Sequence, residues 1–293
     1  MPKPKKEIMK KMCVSFSGGR TSAFMAKWLL DNKSEEYALS FVFANTGLEH
    51  PETLKFIDRC DREWGLNLTW IEAVTHKELG KGQTYKIVDF DSASRNGEPY
   101  KLLSSIEGVP CPTRPICTDR LKSTILEKYR NDLGKSAFSA IGIRVDEIDR
   151  MNPNFKKKRL VYPLISMRPT LKPEIINWFK RQRFDLGIPE HLGNCVACWK
   201  KTDRKLLTIA KNSPEYFIPI VEIESKYSDI LSKRDGAVLG VHRKAFRKHR
   251  SAIDIIKQSK NDFVEWTEIK YEEQLDLFGL DQGSGCNEGC EAF

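Results

Sequence analysis

One stretch near the amino terminus decides the fold: Ser15-Phe16-Ser17-Gly18-Gly19-Arg20-Thr21-Ser22. It follows the short apolar run 12–14 and leads into the apolar-rich segment 23–30, which is the pattern of a strand, a glycine-rich turn and a helix. Two adjacent glycines let the backbone approach an anion closely, and the N–H groups at the helix start point toward it. The spacing differs from the Walker A and Gly-x-Gly-x-x-Gly patterns. The stretch therefore predicts a phosphate-binding loop of another kind.

The composition is that of an ordinary globular protein. The chain has 293 residues, of which 40% are hydrophobic and 30% charged, enough for one large α/β domain with a smaller appendage. No apolar run is long enough to cross a membrane, and the basic residues 1–11 lack the apolar core of a secretory signal. We therefore expect a cytoplasmic location. The formal net charge of +9 favours anionic ligands, from nucleotides to nucleic acid.

Strand and helix patterns alternate outward from the loop. Continuous apolar strands of this kind suit a parallel sheet covered on both faces. The sequence thus predicts an α/β fold with a doubly wound, mainly parallel sheet, whose ligands lie at the carboxyl ends of the strands. The loops at Ser17–Ser22 and Asn45–Thr53 both follow strand ends. The first strands are predicted at 12–17, 38–44 and 67–72, with helices at 22–31 and after Pro51.

The remainder of the chain is predicted in two parts. A nucleotide-binding domain is expected over 1–212, with a polar, glycine-punctuated and mobile insertion at about 73–110 that contains a short hairpin near 85–90. A mostly helical extension is expected over 213–293, and its last residues are too poor in apolar side chains to order themselves. The further elements are helices at 118–131, 172–184, 203–212, 214–227 and 242–250, and strands at 136–143 and 161–165.

Two runs of basic residues stand out. Lys156–Arg159 is typical of a solvated turn. His242–Arg250 is strongly basic and could meet a nucleic-acid backbone, although the exposed face of a helix is the simpler interpretation.

Eight cysteines in a reducing compartment suit metal ligands or catalysts better than disulfides. Cys13 and Cys60 lie within apolar patterns and are expected in the core. The other six cysteines form three pairs: Cys111 and Cys117, Cys195 and Cys198, Cys286 and Cys290. Judged by the number of thiolates alone, the four cysteines of the first two pairs suit zinc and an iron–sulfur cluster equally well.

The loop at Ser17–Ser22 resembles the pyrophosphate-binding loop of the N-type ATP pyrophosphatases and adenine-nucleotide alpha hydrolases, with Thr21 where an aspartate is commoner. Five matches in order over residues 12–212 resemble the phosphoadenylylsulfate (PAPS) reductase family, which also includes sulfurtransferases of DNA phosphorothioation. The other four are Asn45-Thr46-Gly47 with Pro51-Glu52-Thr53, Cys117-x-x-x-x-Lys122, Gly142-x-Arg144, and Tyr162-Pro163-Leu164 continuing to Cys195-x-x-Cys198.

The resemblance implies a role for each matched residue. Lys122 and Arg144 would be catalytic and neutralise phosphate or sulfate oxygens, an ordinary surface pair being the plain alternative. Magnesium is compatible with this phosphate chemistry. The four internal cysteines would hold a 4Fe-4S cluster, with zinc as the alternative. Cys286 and Cys290 would be mobile catalytic thiols, with extra metal ligands, a redox pair or a disordered end as the alternatives. The nucleotide would be bound by Ser17, Gly18, Gly19, Arg20, Thr21, Ser22, Thr46, Gly47 and Glu52, and the metal by Cys111, Cys117, Cys195 and Cys198.

Three functions remain open at this point. In the first, ATP is cleaved at the α-phosphate, an acceptor such as nucleic acid is adenylated, and a cluster- or cysteine-bound sulfur, which a donor protein could supply, displaces AMP. In the second, Cys286 or Cys290 reduces a sulfonucleotide (PAPS or APS) to sulfite, and a thiol reductant regenerates the enzyme. The third is a non-catalytic nucleotide- or nucleic-acid-binding subunit, which Thr21 and Asn45 favour because they replace potential magnesium ligands. The intact loop favours ATP, and the retained Glu52, Lys122 and Arg144 favour an enzyme.

Overall fold

The structure, a computed structural model, describes residues 9–78, 81–112, 114–230, 246–247 and 249–267. Six strands form one sheet in the order β4-β3-β2-β1-β5-β6. Neighbouring strands are parallel except β4, which is antiparallel to β3. The strands are β1 (Lys10–Ser15), β2 (Tyr37–Asn45), β3 (Thr69–Thr75), β4 (Gln83–Val88), β5 (Phe138–Ala140) and β6 (Leu160–Val161). The predicted mainly parallel α/β sheet is confirmed.

Helices cover both faces of this sheet. None of the described helices is long and apolar enough to span a membrane. Between α4 and α5 the chain makes a π-helical turn at Asp119–Ser123, an irregularity that is frequent at functional sites. The helices are α1 (Arg20–Lys33), α2 (Pro51–Trp64), α3 (Glu98–Glu107), α4 (Ile116–Thr118), α5 (Thr124–Leu133), α6 (Pro163–Ser166), α7 (Lys172–Phe179), α8 (Asp203–Asn212), α9 (Ile218–Tyr227) and α10 (Ala252–Gln258).

Successive side chains of β1 point into two separate hydrophobic cores. Met12 and Val14 pack with apolar residues of α1, α2 and α7 on one face. Cys13 lies on the other face with apolar residues of α5, α8 and α9. Cys13 and Cys60 are both fully buried, as predicted, and burial raises the pKa of the Cys13 thiol to about 12. These two cysteines are therefore core residues and not reactive thiols.

The sheet reverses its strand order at β1. The chain moves from β1 to β2 on one side, whereas β5 pairs with β1 on the other. In open α/β sheets the crevice at such a reversal, outside the carboxyl ends of the strands, is the usual ligand site. The loop after β1 begins at this position.

The segment 73–110 requires a correction. It was expected to be an irregular insertion, but it contains the end of β3, the whole of β4 and the helix α3. The strand β4 lies at the edge of the sheet with much of its surface exposed, so its sequence is largely polar although its backbone is paired with β3. Tyr100 and Leu103 of α3 are buried in the second core.

Several element boundaries also differ from the prediction. The helix expected over 172–184 ends at Phe179, because Phe184 folds back onto the rings of Phe56 and Trp64. The strands expected over 136–143 and 161–165 are only three and two residues long, and Pro163 starts a helix. The predicted helix at 203–212 is confirmed, and a helix also forms within 214–227.

The carboxyl-terminal region is described only in part. The helix predicted at 242–250 lies mostly outside the described residues, as do Cys286 and Cys290. The short helix α10 was not predicted, although its start carries the signal of a capping box: Ser251 accepts from the Asp254 N–H and the Asp254 carboxylate accepts from the Ser251 N–H.

Candidate functional site

The loop between β1 and α1 is closed by two serines. The Ser17 N–H donates to Ser22 Oγ (3.0 Å), and Ser22 Oγ donates to the Gly19 carbonyl (3.0 Å). No side chain caps the start of α1 after Gly19. The N–H groups of its first turn therefore remain available to an anion, which the helix dipole also favours.

Two glycines allow close packing around this loop. Gly18 has φ +85°, and a Cβ there would lie 2.6 Å from Thr53 Cγ2 of α2. Gly142 lies after β5, and a Cβ there would be 3.3 Å from Ser22 Cα. A larger residue at position 18 would have to displace the loop or α2 in addition to adopting a left-handed backbone conformation.

The two predicted arginines differ in position. Arg144 donates from Nη1 to Thr21 Oγ1 (2.9 Å), so its guanidinium touches the loop, where Asp146 and Glu147 also face it. Arg20 instead makes a two-point ion pair with Asp185, at 2.6 and 2.9 Å. Arg20 therefore contributes only its backbone to the loop, because its side chain is paired with Asp185.

Asn45, at the end of β2, is a fully buried amide. Its Nδ2 donates to Glu72 Oε1 (2.7 Å) and to the Ser94 carbonyl (2.9 Å), and its Oδ1 accepts from the Gly47 N–H (3.1 Å). The Glu72 carboxylate is fully buried and also accepts from the Ser94 N–H and hydroxyl. An amide at position 45 can donate to this carboxylate, whereas an aspartate could not.

The buried carboxylate of the next loop belongs to Glu49. It accepts from the Thr46 N–H (3.0 Å), the Thr46 hydroxyl (2.8 Å) and the Leu48 N–H (3.2 Å). Glu52, the predicted pocket residue, is exposed and pairs with Lys55 at 2.7 Å. The sequence prediction missed Glu49. The feature that could have indicated it is an acidic residue three positions after Thr46, in a loop that follows a strand.

Glu49 joins this loop to two residues that are distant in sequence. Lys122, in the π-helical turn, is 8% exposed, and its Nζ lies 3.6 Å from Glu49 Oε1. Cys195 Sγ lies 3.2 Å from Thr46 Oγ1 and 3.7 Å from Glu49 Oε1. Backbone pairing fixes the arrangement, because the Val196 N–H donates to the Leu48 carbonyl (2.9 Å). We call Thr46, Glu49, Lys122 and Cys195 the bridging network.

A pocket adjoins the bridging network. Three of the four predicted metal ligands line it, and the fourth, Cys111, is buried nearby. Burial, and then the charges of all four cysteines, raise the pKa of Tyr100 well above its usual value. Three of the four cysteines thus line the same pocket as Tyr100, which no sequence motif had indicated. The pocket residues are Thr46, Leu48, Tyr100, Cys117, Thr118, Lys122, Cys195, Ala197, Cys198, Trp199 and Ile220.

The pocket brings together three thiols, which are the kind of donor that a sulfur-ligated metal group takes. Within the described ranges, no three Cys, His, Asp or Glu side chains already surround one point at metal-ligand distance. In the same part of the chain, the buried indole N–H of Trp199 has no acceptor. This pocket residue can therefore donate to a bound group.

Two buried lysines hold the segment that leads to Cys195. Lys201 donates from Nζ to the carbonyls of His191 (2.5 Å) and Gly193 (2.8 Å). Lys205 pairs with Glu190 at 3.2 Å, and its side chain is 2% exposed. Because these ammonium groups lie behind the Cys195 loop, they fix its backbone without entering the pocket.

Glu190→Gln is expected to lower stability at pH 7 by about 1–2 kcal/mol, since the carboxylate is partly exposed and screened. Burial alone would raise the pKa of Glu190, but Lys172 and Lys205 lower it to about 2 from the usual 4.5. The carboxylate therefore stabilises the wild type above about pH 4.5, and this contribution is lost as the pH falls through about 2. Urea unfolding at pH 7, 5 and 3 measures the difference.

The exposed pair Lys33–Glu36 supplies the control for this prediction. Glu36→Gln should change stability by less than about 0.5 kcal/mol at every pH. A Glu190→Gln deficit that is as large at pH 3 as at pH 7 would contradict the assignment to ionised Glu190.

Comparison with known proteins identifies the family of this chain. Residues 11–95, which include both strand-end loops, match the family described as phosphoadenosine phosphosulfate reductase domain. The chain is 32% identical over 290 residues to the uncharacterized nin region protein ORF290 of Escherichia phage lambda, with 96% of this chain and 94% of that protein covered. The chain belongs to the phosphoadenosine phosphosulfate reductase domain family. Membership implies binding of an adenine nucleotide in sulfur chemistry.

Two further similarities cover different shares of this PAPS reductase-family chain. An uncharacterized protein of Methanocaldococcus jannaschii is 29% identical over 138 residues, which is 47% of this chain and 24% of that protein. The solved structure of the U34-tRNA thiolase NcsA from Methanococcus maripaludis with its 4Fe-4S cluster is 16% identical, with a TM-score of 0.39 and coverage of 88% of this chain and 84% of that chain.

Proposed function

We propose that this protein is an enzyme that cleaves ATP at the α-phosphate and couples this step to sulfur transfer. The observation that carries the proposal is the bridging network. Through Glu49 it joins the loop that follows β2, at the nucleotide edge of the sheet, to Cys195 in the pocket. A nucleotide site and a set of thiols that share one buried carboxylate are suited to consecutive steps on one substrate.

The nucleotide half of the site would act on the phosphates. The uncapped start of α1 and the hydroxyls around it provide donors for phosphate oxygens. Arg144, at Thr21, adds a guanidinium beside the loop. Magnesium, when bound with the nucleotide, would neutralise phosphate charge. These groups stabilise the charge that develops on the pyrophosphate leaving group.

The reaction would proceed in two displacements. An oxygen of the acceptor attacks the α-phosphorus, the bond to the bridging oxygen breaks, and pyrophosphate leaves. The terminal sulfur of a donor persulfide then attacks the activated carbon, the carbon–oxygen bond breaks, and AMP leaves. A second thiolate next attacks the donor sulfur, so that the sulfur–sulfur bond breaks, the acceptor keeps the transferred sulfur as a thiolate, and the two donor sulfurs form a disulfide. Lys122 is the buried cation between the two halves and would stabilise the negative charge of the phosphates. The net charge of +9 favours an anionic acceptor such as nucleic acid.

The four internal cysteines, three of which line one pocket, would hold an iron–sulfur cluster or zinc. When bound, a cluster supplies an iron position for a sulfur atom, whereas zinc supplies a structural link between the two loops. Cys111 and Cys117 come from one loop and Cys195 and Cys198 from the other. Iron, sulfide and zinc analysis of anaerobically purified protein distinguishes the two, with Cys195→Ser as the variant that loses the metal.

Reduction of a sulfonucleotide is the second candidate, favoured by three cysteines that line one pocket beside the nucleotide site. A thiolate would attack the sulfur of PAPS or APS, the sulfur–oxygen bond to phosphate would break, and a cysteine S-sulfonate would form. A second thiolate would release sulfite and leave a disulfide, which an external dithiol would reduce. Cys286 and Cys290 are the predicted thiols for this step, and both lie outside the described residues.

The deciding experiment compares substrates under anaerobic conditions. The full chain is incubated with magnesium and α-labelled ATP, PAPS or APS, and AMP, pyrophosphate and sulfite are measured. Pyrophosphate from ATP supports the first function, and sulfite from PAPS or APS with a dithiol supports the second. If the protein binds a nucleotide but yields no product with or without candidate acceptors, the non-catalytic function is favoured.

Gly18→Ala is expected to weaken nucleotide binding at least about 100-fold, because the added Cβ meets Thr53 Cγ2 at 2.6 Å in a backbone conformation that disfavours alanine. Calorimetric titration with a nonhydrolysable ATP analogue measures this loss.

Gly65→Ala is the matched control for this prediction. Gly65 has φ +64° at the far end of α2, and a Cβ there meets nothing within 4 Å. It carries a similar backbone cost but should leave nucleotide affinity within about twofold. Equal losses in the two variants would mean that Gly18 acts through stability alone.

A further inference from the structure

Seven exposed cations gather where the parallel strands begin, at the end of the sheet opposite the nucleotide loop. They precede or begin three adjacent parallel strands, β1, β5 and β6, whose amino ends necessarily share one edge. We call this set the basic edge. Its members are Lys10, Lys11, Lys135, Lys156, Lys157, Lys158 and Arg159.

Direct contacts confirm that these segments meet. Lys11 donates from Nζ to the Leu133 carbonyl (2.6 Å), and a Cβ on Gly134 would lie 3.9 Å from that ammonium. On the other side of β5, the Ser139 N–H donates to the Arg159 carbonyl (2.9 Å). The turn before β5 therefore lies between the start of β1 and the turn before β6.

The turn that carries four of the cations is held by the fold. Buried Arg130 donates from Nη1 to the Lys158 carbonyl (2.8 Å), and the Leu160 N–H donates to the Phe155 carbonyl (2.8 Å). Arg159 adopts φ +56°, a left-handed conformation that costs a non-glycine residue about 1 kcal/mol. The surrounding contacts must offset this cost. The fold therefore fixes the conformation of this turn, which is more than a solvated run of charges.

The cations of the basic edge lack the acidic partners that other lysines have. Lys27, Lys33 and Lys55 each pair with a carboxylate on their own helix or turn. Across the described ranges, no carboxylate forms an ion pair with any of the seven. Two acids of α5 are engaged elsewhere: Asp132 accepts from Tyr85, and Glu127 faces Arg130. The positive charge of the basic edge is therefore not neutralised within the described fold.

We propose that the basic edge binds the phosphate backbone of a nucleic-acid strand. Adjacent strands lie about 4.8 Å apart, so the three amino ends spread over about 10 Å, which matches about three consecutive phosphates of one strand. Lysine is depleted at protein–protein interfaces, whereas it is a main source of backbone contacts to nucleic acid. This binding goes beyond the proposed reaction and does not depend on it, because the surface is at the other end of the strands from Ser17–Ser22.

The test compares two triple variants of the full chain with the same change of charge. Lys156→Ala, Lys157→Ala and Lys158→Ala together remove three cations from the turn before β6. Fluorescence anisotropy with a labelled 20-base single strand, and with its duplex, is measured from 50 to 200 mM salt. The triple variant should bind about 100-fold more weakly at 100 mM salt, and the slope of log K against log salt should fall by about 2 to 3.

The control replaces three exposed lysines on another part of the surface, Lys226, Lys257 and Lys260, with alanine. Of these, Lys226 belongs to α9 and Lys257 to α10, two helices that pack together with α8. This control should bind the oligonucleotide within about threefold of the wild type. Equal weakening of the two triples would overturn the proposal in favour of general charge, and no weakening of the first triple would overturn it outright.

Two further measurements test whether the basic edge selects nucleic acid among polyanions and acts separately from the nucleotide loop. Poly-glutamate of equal charge should compete at least tenfold less well than the oligonucleotide, and equal competition would assign the surface to acidic proteins instead. Gly18→Ala should retain oligonucleotide binding while it loses nucleotide binding. If nucleotide turnover fails in every variant but oligonucleotide binding still follows the basic edge, only the proposed reaction is refuted.

Discussion

Lys122→Met is expected to lower the rate of pyrophosphate release from ATP by about 10²- to 10³-fold. The Lys122 ammonium is buried between the nucleotide loops and the thiol pocket, where low dielectric makes a charge most effective. Methionine keeps the length and the apolar stem of the side chain but removes the charge. Quench-flow measurement of the first turnover, with saturating ATP and magnesium, gives the rate of the chemical step.

The same change should also affect folding, and a second variant separates the two effects. Without Lys122, the Glu49 carboxylate is left buried without its cation, and breaking a buried pair costs about 3–5 kcal/mol. The double variant Lys122→Met with Glu49→Gln removes both charges and should recover most of that stability. It should not recover activity. A double variant with wild-type turnover would show that Lys122 serves folding alone.

The matched control lies on the continuation of the same helix. Lys128 on α5 is exposed, lies six residues after Lys122 and is not among the residues that line the pocket. Lys128→Met makes the same chemical change and should leave turnover within about twofold of the wild type.

The nucleotide loop could be predicted from sequence because its chemistry is local. Two glycines and two serines within six residues determine where the backbone turns and which hydroxyls close it. The alternation of apolar strands and amphipathic helices likewise predicted the parallel sheet, because the spacing of apolar residues in each element shows which of its faces is buried. Membership in the family adds the expectation of an adenine nucleotide, but it does not predict which side chains contact one another around that site.

The bridging network could not be predicted in the same way. Glu49 and Cys195 are 146 residues apart, and the fold alone brings them to 3.7 Å. Exposed Glu52 matched the family pattern better than buried Glu49, because a motif records residue types and not burial. Arg20 was assigned to the phosphates by its place in the loop, but its side chain reaches Asp185, 165 residues away. Each of these outcomes depends on long-range packing.

Asn45→Asp is expected to destabilise the protein by about 3–5 kcal/mol. The family pattern commonly has an aspartate here, so sequence comparison alone would class this as a conservative change. In this chain it would place a second carboxylate 2.7 Å from the buried oxygen of Glu72 and remove the donors to Glu72 and the Ser94 carbonyl. Thermal unfolding at pH 7 measures the loss, expected as a Tm lower by about 6–20 °C.

Two companion variants decide the cause of that loss. Asn177→Asp makes the same change at an exposed position of α7 and should shift stability by less than about 0.5 kcal/mol. Asn45→Asp combined with Glu72→Gln exchanges the acid and the amide, so one donor and one acceptor again face each other and most of the stability should return. If Asn45→Asp alone were as stable as the wild type, the Asn45–Glu72 contact would not determine the residue at position 45. The position would then accept the aspartate of the usual family pattern.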